Sequence, residues 1–326
     1  MKGKYLLEVR NLKKSYEISN SILKKNKNYL NAVNDLNFYV REGETLGIVG
    51  ESGSGKSTTA NLIVQLLDPT SGEIIFNGED LTKLNAKDLR KKRSEIQIIF
   101  QDPFSALNPR MKVFDIIAEP LKTHENLSKK ELHNRIMELM DTVKLNRSYA
   151  SRFPHEFSGG QRQRISIARA IALRPKLIVC DEPVSALDVS IQSQILNLLI
   201  DLQKKYNLTY VFIAHGLPAV KYVSDRIGVM YLGRIVELAN KNELFFKTKH
   251  PYTNLLLSSI PIHDPYLRAI RKEIQENEIS NSAEDITGCH FHPRCSFAQD
   301  ICRKQAPEFK EVDNQHYVAC HFPLST

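Results

Sequence analysis

The sequence predicts an α/β fold built around a mostly parallel sheet. Three short, continuous apolar runs carry this prediction: ETLGIVG at 44–50, LIVCDE at 177–182 and LTYVFIAH at 208–215. Runs of this length and composition are typical of strands buried on both faces of a sheet. Segments with helical period separate them, beginning with STTANLIVQLL directly after the first run. Strands that alternate with helices favour parallel pairing.

Other segments predict a helical subdomain, a hairpin and a linker in addition to this core. Residues 103–175 have helical period and separate two predicted strands, which indicates a helical subdomain inserted into the sheet. IGVMYLGRIVEL at 227–238 indicates two short strands that form a hairpin around Gly233. Residues 272–287 are polar and nearly free of aromatics, so we predict a linker there.

Composition narrows the class of protein. The chain has 326 residues, of which 42% are apolar, enough for one large domain and a smaller one. No run approaches 18 apolar residues and the first residues contain no apolar signal segment, so we expect a cytoplasmic chain without a membrane span. The net charge is +8, with basic clumps at 23–28 and 89–95. This charge fits an anionic partner or a solvated basic surface, and the lack of interleaved aromatics favours the surface.

The segment that follows the first predicted strand is a phosphate-binding loop. It matches G-x-x-x-x-G-K-[ST] without a gap, between a strand and a helix. Its glycines allow successive N–H groups to face one anion, and the helix adds its positive N-terminus. Lys56 is predicted to reach the β- and γ-phosphates, and the Ser57 hydroxyl to bind Mg²⁺. The residues predicted to contact the triphosphate here are Gly50, Glu51, Ser52, Gly53, Ser54, Gly55, Lys56, Ser57 and Thr58.

Two carboxylates end the second predicted strand. Asp181 is placed to hold Mg²⁺ beside the phosphate loop. Glu182 is placed to orient and deprotonate the water that attacks the γ-phosphate. Cys180, one position earlier, is interpreted as a small buried strand residue and not as a reactive thiol.

A second anion-binding helix start lies in FSGGQRQRISIARA at 157–170. Ser158, Gly159 and Gly160 offer a hydroxyl and free N–H groups at a helix N-terminus. Two phosphate-binding segments on one chain suggest that each serves a different nucleotide. We therefore predict a head-to-tail dimer with ATP between the phosphate loop of one subunit and the Ser-Gly-Gly segment of the other.

Together these motifs resemble the ATP-binding-cassette (ABC) ATPases, from about residue 6 to the end of the chain. The resemblance implies a P-loop NTPase with a RecA-like parallel core, an antiparallel β subdomain and the inserted helical subdomain, over residues 1–250. It implies that the phosphate loop and Asp181-Glu182 are Walker A and Walker B. It further implies roles for Gln101 as the glutamine that senses Mg²⁺ and water, His215 as the switch histidine, and Tyr16 as the aromatic on adenine. The residues implied to act across the dimer are Ser158, Gly159, Gly160, Gln161 and Asp188.

The chain departs from the family pattern after the switch histidine. The family usually has Asp there, whereas this sequence has Gly216. The change removes a side chain that could cap the following helix, so the chemistry of His215 is kept while its rigidity is in doubt.

Narrower motifs resemble the ATPase subunits of oligopeptide and dipeptide importers, in particular their F-type subunit. These motifs are IFQDPFSALNPRM (99–111), FPHEFSGGQRQR (153–164), MYLGRIVELA (230–239) and HPYTNLLLSSIP (250–261). The resemblance implies a peripheral protein on the cytoplasmic face of the cell membrane. Its implied partners are a second ATPase, two permeases and an extracytoplasmic peptide-binding protein, and no nucleic acid.

Three alternatives remain open at this point. An importer of nickel or another small solute shares the same subfamily. A soluble nucleic-acid ATPase uses the same cassette, although HPYTNLLLSSIP has no place in it. A catalytically silent regulatory subunit is the third, and the presence of Glu182 and His215 speaks against it.

A cysteine-rich tail, about 287–326, ends the C-terminal extension that we predict over 251–326. Its cysteines are Cys289, Cys295, Cys302 and Cys320, with intervals wider than the close pairs of a zinc ribbon. Four thiolates in a compartment without disulfides suit a 4Fe–4S cluster, which the resemblance also implies. Zinc with help from nearby histidines, or free cysteines in a packed tail, are the alternatives. A tail this short hardly buries a core, so we expect the metal to close a small separate domain.

Overall fold

The computed structural model describes residues 5–18, 28–259 and 286–325. Most of the basic clump at 23–28 and residues 272–285 of the predicted linker lie outside the described residues. The strands are β1 (Tyr5–Ile18), β2 (Asn28–Arg41), β3 (Thr45–Val49), β4 (Ser71–Phe76), β5 (Glu79–Asp80), β6 (Ile96–Ile99), β7 (Leu177–Asp181), β8 (Thr209–Ala214), β9 (Arg226–Tyr231), β10 (Arg234–Asn240), β11 (Lys310–Asp313) and β12 (His316–Val318). The helices are α1 (Lys56–Ile63), α2 (Ala86–Lys92), α3 (Pro103–Ala106), α4 (Val113–His124), α5 (Lys129–Thr142), α6 (Gly159–Ile171), α7 (Val189–Tyr206), α8 (Leu217–Val223), α9 (Lys241–Phe246), α10 (Pro251–Ser258) and α11 (Asp300–Lys304).

The main sheet has the strand order β11-β12-β10-β9-β3-β8-β7-β6. The five strands from β9 to β6 are parallel, which confirms the predicted parallel core. Every residue of β3, β7, β8 and β9 is buried, as expected of strands covered on both faces. Strands β9 and β10 form the predicted antiparallel hairpin around Gly233. The parallel core points the carboxyl ends of β3, β7 and β8 to one edge.

A second, antiparallel sheet has the order β2-β1-β4-β5. Its apolar face shares one core with strands of the main sheet, where Leu7, Leu36 and Phe76 pack with Ile48 and Val211. The family resemblance implied this subdomain, but hydrophobic periodicity did not predict β1 and β2. Register shifts interrupt their pairing at several points, and such shifts blur an alternating pattern.

The helical insertion is confirmed between β6 and β7. Helices α3 to α6 fill it, and α4, α5 and α6 bury their apolar faces in the same core as β7 and β8. Ser128 begins α5 and Ser158 begins α6, each in a reciprocal capping box that satisfies free N–H groups at the helix start.

The cysteine-rich tail is part of the main sheet. Strand β12 pairs with β10, so that Glu237 lies opposite Val318, and β11 extends the edge beyond it. Phe291 is 3% exposed and packs against Tyr231 and Tyr252, with ring centroids 5.4 and 5.3 Å away. The expectation of a tail that folds apart from the cassette is therefore wrong: the tail completes a sheet that already has a core.

A buried carboxylate holds the tail to the sheet. Glu237, on β10, is fully buried and accepts from the Thr248 hydroxyl at 3.0 Å. It also accepts from the backbone N–H of Lys249 at 2.6 Å and of His250 at 3.1 Å. The fourth partner is His316 Nε2 of the tail, at 2.7 Å. Burial opposes ionisation of Glu237, but these hydrogen bonds overcome it and lower the pKa of the carboxyl.

We expect Glu237→Gln to lower the free energy of unfolding by about 1–3 kcal/mol, because an amide leaves buried donors without a charged acceptor. Urea unfolding followed by circular dichroism measures it. The matched control is Glu243→Gln, whose carboxylate forms an exposed pair with Lys247 at 3.4 Å. That change should cost less than about 0.5 kcal/mol. Equal costs for the two variants would contradict the role of Glu237.

Candidate nucleotide-binding site

The phosphate loop lies where β3 ends and α1 begins. Two of its glycines, Gly50 and Gly55, are packed too closely against other strands for a larger residue. A Cβ on Gly50 would lie 2.2 Å from the Met230 carbonyl oxygen. A Cβ on Gly55 would lie 2.1 Å from the Ala32 carbonyl oxygen, and Gly55 also has φ +100°. These glycines let the loop turn tightly against β2 and β9, so that α1 begins at Lys56 with its N-terminus facing the loop.

Lys56 is buried with its ammonium group inside the loop. Its Nζ donates to the carbonyl oxygens of Gly50 and Glu51, at 2.8 Å each. Burial lowers the pKa of Lys56, while the carboxylates of Glu182, Asp181 and Glu51 act in the opposite direction. An anion in the loop would therefore meet a positive charge that the fold has already oriented.

Asp181 and Ser57 form the oxygen pair expected of a magnesium site. The Ser57 hydroxyl donates to Asp181 Oδ1 at 3.1 Å. Asp181 is only 7% exposed, and burial raises the pKa of its carboxyl, helped by the neighbouring charge of Glu182. A hard cation with oxygen ligands would offset that cost, so these residues fit Mg²⁺.

Glu182 leaves the strand in a strained backbone conformation that directs it to the same place. It has φ +46°, in the left-handed region, and its N–H donates to the Ile213 carbonyl of β8 at 2.9 Å. Gln101, which follows β6, donates from Nε2 to Glu182 Oε2 at 3.0 Å. Gly216 starts α8 without a side-chain cap, as the sequence predicted.

These groups line one cavity of about 700 Å³. The predicted residues found on its wall are Tyr16, Ser52, Gly53, Gly55, Lys56, Ser57, Thr58, Gln101, Glu182 and His215. The predicted residues that do not line the cavity are Gly50, Glu51 and Ser54 of the loop and Asp181 at the end of β7. The wall also contains residues that sequence reasoning missed, namely Leu30, Asn31, Ala32, Ser185, Leu232 and Gly233. Most of these come from β2 and the β9–β10 hairpin. Leu232 and Gly233 lie within the MYLGRIVELA motif, but nothing in that motif marked them as cavity residues.

The Ser-Gly-Gly segment lies elsewhere on the chain. Ser158 and Gly159 are exposed, and neither they nor Gly160 and Gln161 contribute to the 700 Å³ cavity. Asp188, exposed at the start of α7, is also absent from its wall. The structure thus separates these residues from the phosphate loop of their own chain.

The four tail cysteines line one small cavity, together with histidines that include His292 and His321. Burial, and secondarily the nearby thiols, raises the pKa of Cys320 to about 11. Within residues 5–18, 28–259 and 286–325, no group of three or more His, Cys, Asp or Glu side chains is arranged to hold a metal ion. The thiols have the right chemistry and share a cavity, but their present positions do not form a metal site.

Cys180 is fully buried in β7, which confirms its interpretation as a packing residue. Burial strongly raises the pKa of its thiol, so the reactive thiolate is suppressed. Among the described parts of the chain, no helix combines the length and apolar character that crossing a bilayer requires.

The fold and this site define a P-loop ATPase of the cassette type. A family model described as "ABC transporter" matches residues 33–185, and one described as "Oligopeptide/dipeptide transporter, C-terminal region" matches residues 236–302. A dimeric ATP-binding cassette, MJ0796, in a post-hydrolysis state bound to ADP and Pi, has a similar structure. Its TM-score is 0.65 at 29% identity, over 72% of this chain and 98% of that one.

Curated proteins match nearly the whole chain. The Bacillus subtilis oligopeptide transport ATP-binding protein AppF is 49% identical, over 97% of both chains. The Haemophilus influenzae protein OppF, with the same description, is 48% identical over 97% of this chain and 96% of its own. This chain therefore belongs to the ABC transporter family, in the group of oligopeptide transport ATP-binding subunits, and it is an ATPase.

We expect Gly55→Ala to abolish ATP binding, because the added methyl would overlap a backbone oxygen that cannot yield. Equilibrium titration of the purified chain with ATP measures it. Gly78→Ala is the matched control, since Gly78 has φ +84° with nothing within 4 Å of the added Cβ. The control should lose about 1 kcal/mol of stability to backbone strain and bind ATP normally. Normal ATP binding by Gly55→Ala would contradict the packing of this loop.

Proposed function

We propose that this chain is an ATP-hydrolysing motor of an importer that carries oligopeptides or dipeptides. The arrangement of side chains at the nucleotide site is the main support for this proposal. The Ser57–Asp181 and Gln101–Glu182 hydrogen bonds bring a hydroxyl, two carboxylates and an amide together beside Lys56, at one ATP-sized cavity. The match of the C-terminal region, and the printed names of the relatives, support the peptide cargo.

In the proposed reaction each residue acts on a different part of the nucleotide, its cation or the attacking water. Lys56 neutralises the β- and γ-phosphates, and Tyr16 stacks on the adenine at the mouth of the cavity. Ser57, Asp181 and Gln101 would hold Mg²⁺, which neutralises charge on the phosphates when it is bound. Glu182 takes a proton from the attacking water, Gln101 orients that carboxylate, and His215 approaches the γ-phosphate.

A head-to-tail dimer would complete each site. Ser158 begins the helix that contains Gly159, Gly160 and Gln161, and Ser158 and Gly159 are exposed at its N-terminus. Asp188 is exposed at the start of α7. Because these residues are absent from the cavity of their own chain, they are available to a nucleotide held by a second subunit. A dimeric cassette among the similar structures supports this arrangement.

The proposed complex contains a second ATPase of the same family, two membrane permeases and an extracytoplasmic peptide-binding protein. This chain would sit peripherally on the cytoplasmic face of the membrane, with its cassette over residues 1–250 and its extension over 251–326. Nickel and other small solutes remain the alternative cargo. No feature of the described residues favours a nucleic-acid ATPase, and Glu182 and His215 at the cavity oppose a silent subunit.

We also propose that the tail cysteines bind a 4Fe–4S cluster. Four free thiols share a cavity, and burial, with a smaller contribution from neighbouring thiols, raises the pKa of Cys289, Cys295 and Cys320. A cationic ligand would stabilise their thiolates. Cys289, Cys295, Cys302 and Cys320 would have to move toward each other to form that site. Zinc, with His292 or His321 in place of a thiolate, is the competing ligand.

Glu182→Gln should keep ATP binding but stop turnover, because the attacking water loses its base. The assembled transporter is reconstituted in vesicles, and phosphate release is measured together with uptake of labelled peptides and of Ni²⁺. Wild type should take up peptide, while Glu182→Gln should lose both hydrolysis and uptake. Glu138→Gln, exposed on α5, is the control and should behave as wild type. Ni²⁺ uptake without peptide uptake would reject the peptide cargo.

Purified without oxygen, the full chain should contain iron and sulfide in comparable amounts, with broad absorption in the visible range. Cys289→Ser should remove both, because one ligand is lost. Cys180→Ser, in the buried core, is the control and should retain them. Zinc without iron would reject the cluster in favour of a zinc site, and absence of any metal would reject both.

A further inference from the structure

The cysteine-rich tail contacts the phosphate loop through one ion pair. Glu51, the second residue of the loop, forms a two-pronged ion pair with Arg294, which lies 243 positions later. Arg294 donates from Nη1 to Glu51 Oε2 at 2.8 Å and from Nη2 to Glu51 Oε1 at 2.9 Å. The side chains are only 23% and 15% exposed, so solvent screens this pair less than a surface pair. The Tyr252 hydroxyl accepts from the Glu51 N–H at 3.1 Å, a second contact on the same residue.

Backbone and aromatic contacts hold Arg294 in position. It ends a short 3-10 turn, His292–Arg294, that lies between Cys289 and Cys295. Its N–H donates to the Phe291 carbonyl at 3.0 Å, and its guanidinium lies 5.9 Å from the ring centroids of Tyr231 and Phe291. The ion pair with Glu51 raises the pKa of Arg294 further above its ordinary value, so the guanidinium stays charged.

Glu51 needs this partner because of its position. Its carbonyl oxygen accepts from Lys56 Nζ at 2.8 Å, and its carboxylate acts on the same ammonium group, the cation that the phosphates of ATP also require. An uncompensated carboxylate here would compete with the phosphates for Lys56 and repel them. Arg294 supplies the opposite charge and holds the carboxylate by two hydrogen bonds. Glu51 does not line the 700 Å³ cavity.

We infer that Arg294 is a positioning residue for ATP, through which the tail holds and neutralises Glu51 behind the phosphate loop. The cysteine-rich tail thereby takes part in nucleotide binding, although it touches no nucleotide. The inference rests on the proposed ATPase function, because it requires ATP to be the ligand of this loop.

Arg294→Gln should raise the Kd of the full-length chain for ATP on the order of tenfold, the scale of one charge-assisted hydrogen bond. In the assembled transporter the same variant should raise KM for ATP and leave kcat close to wild type. Glu51→Gln added to Arg294→Gln should return Kd to within about threefold of wild type, because the uncompensated charge is gone. Arg303→Gln, an exposed arginine of the same tail, is the matched control and should not change Kd.

The double variant separates positioning from simple loss of structure. If Arg294→Gln weakened ATP binding only by loosening the tail, removal of the Glu51 charge would not restore it, and the inference would be overturned. Unchanged Kd in Arg294→Gln would also overturn it. Failure of the wild-type chain to bind ATP would overturn the proposed function and this inference together.

Discussion

The parallel alignment of β3, β8, β7 and β6 is the constraint on which the site depends. Each strand ends at the same edge of the sheet, and each is followed by a functional residue. Lys56 follows β3 through the phosphate loop, Asp181 and Glu182 end β7, His215 follows β8 and Gln101 follows β6. Lys56 and His215, 159 positions apart, thus line one cavity because the sheet brings the strand ends together.

Burial at this edge disfavours the charged forms of Lys56 and Asp181. ATP and its cation carry the opposite charges, which would stabilise those forms. Burial lowers the pKa of Lys56, whose Nζ donates to two carbonyl oxygens. Burial raises the pKa of Asp181, helped by the neighbouring charge of Glu182. A ligand of opposite charge beside either group would stabilise its charged form. The strained backbone of Glu182 belongs to the same region, and the hydrogen bond from its N–H to β8 keeps that conformation in place.

The tail and the cassette share both a sheet and a core. Glu237 joins β10 to His316 through a buried hydrogen bond, and Phe291 packs against both Tyr231 and Tyr252. The same aromatic group positions Tyr252 and Arg294 against the phosphate loop. A tail of this length does not need a core of its own, because it adds strands and side chains to one that exists. The segment that carries the four cysteines is therefore in direct contact with the phosphate loop, through Arg294 and Glu51.

The sequence by itself determined the class of the protein and most of the residues at its site. Lys56, Ser57, Asp181 and Glu182 lie within short motifs, whose chemistry depends on neighbours along the chain and is readable without a fold. Only the tertiary structure decided that Ala32 and Gly233 line the cavity and that the tail extends the main sheet. The Glu51–Arg294 ion pair joins residues 243 positions apart, and no spacing or periodicity encodes such a contact. It exists because sheet pairing and aromatic packing place two distant segments side by side.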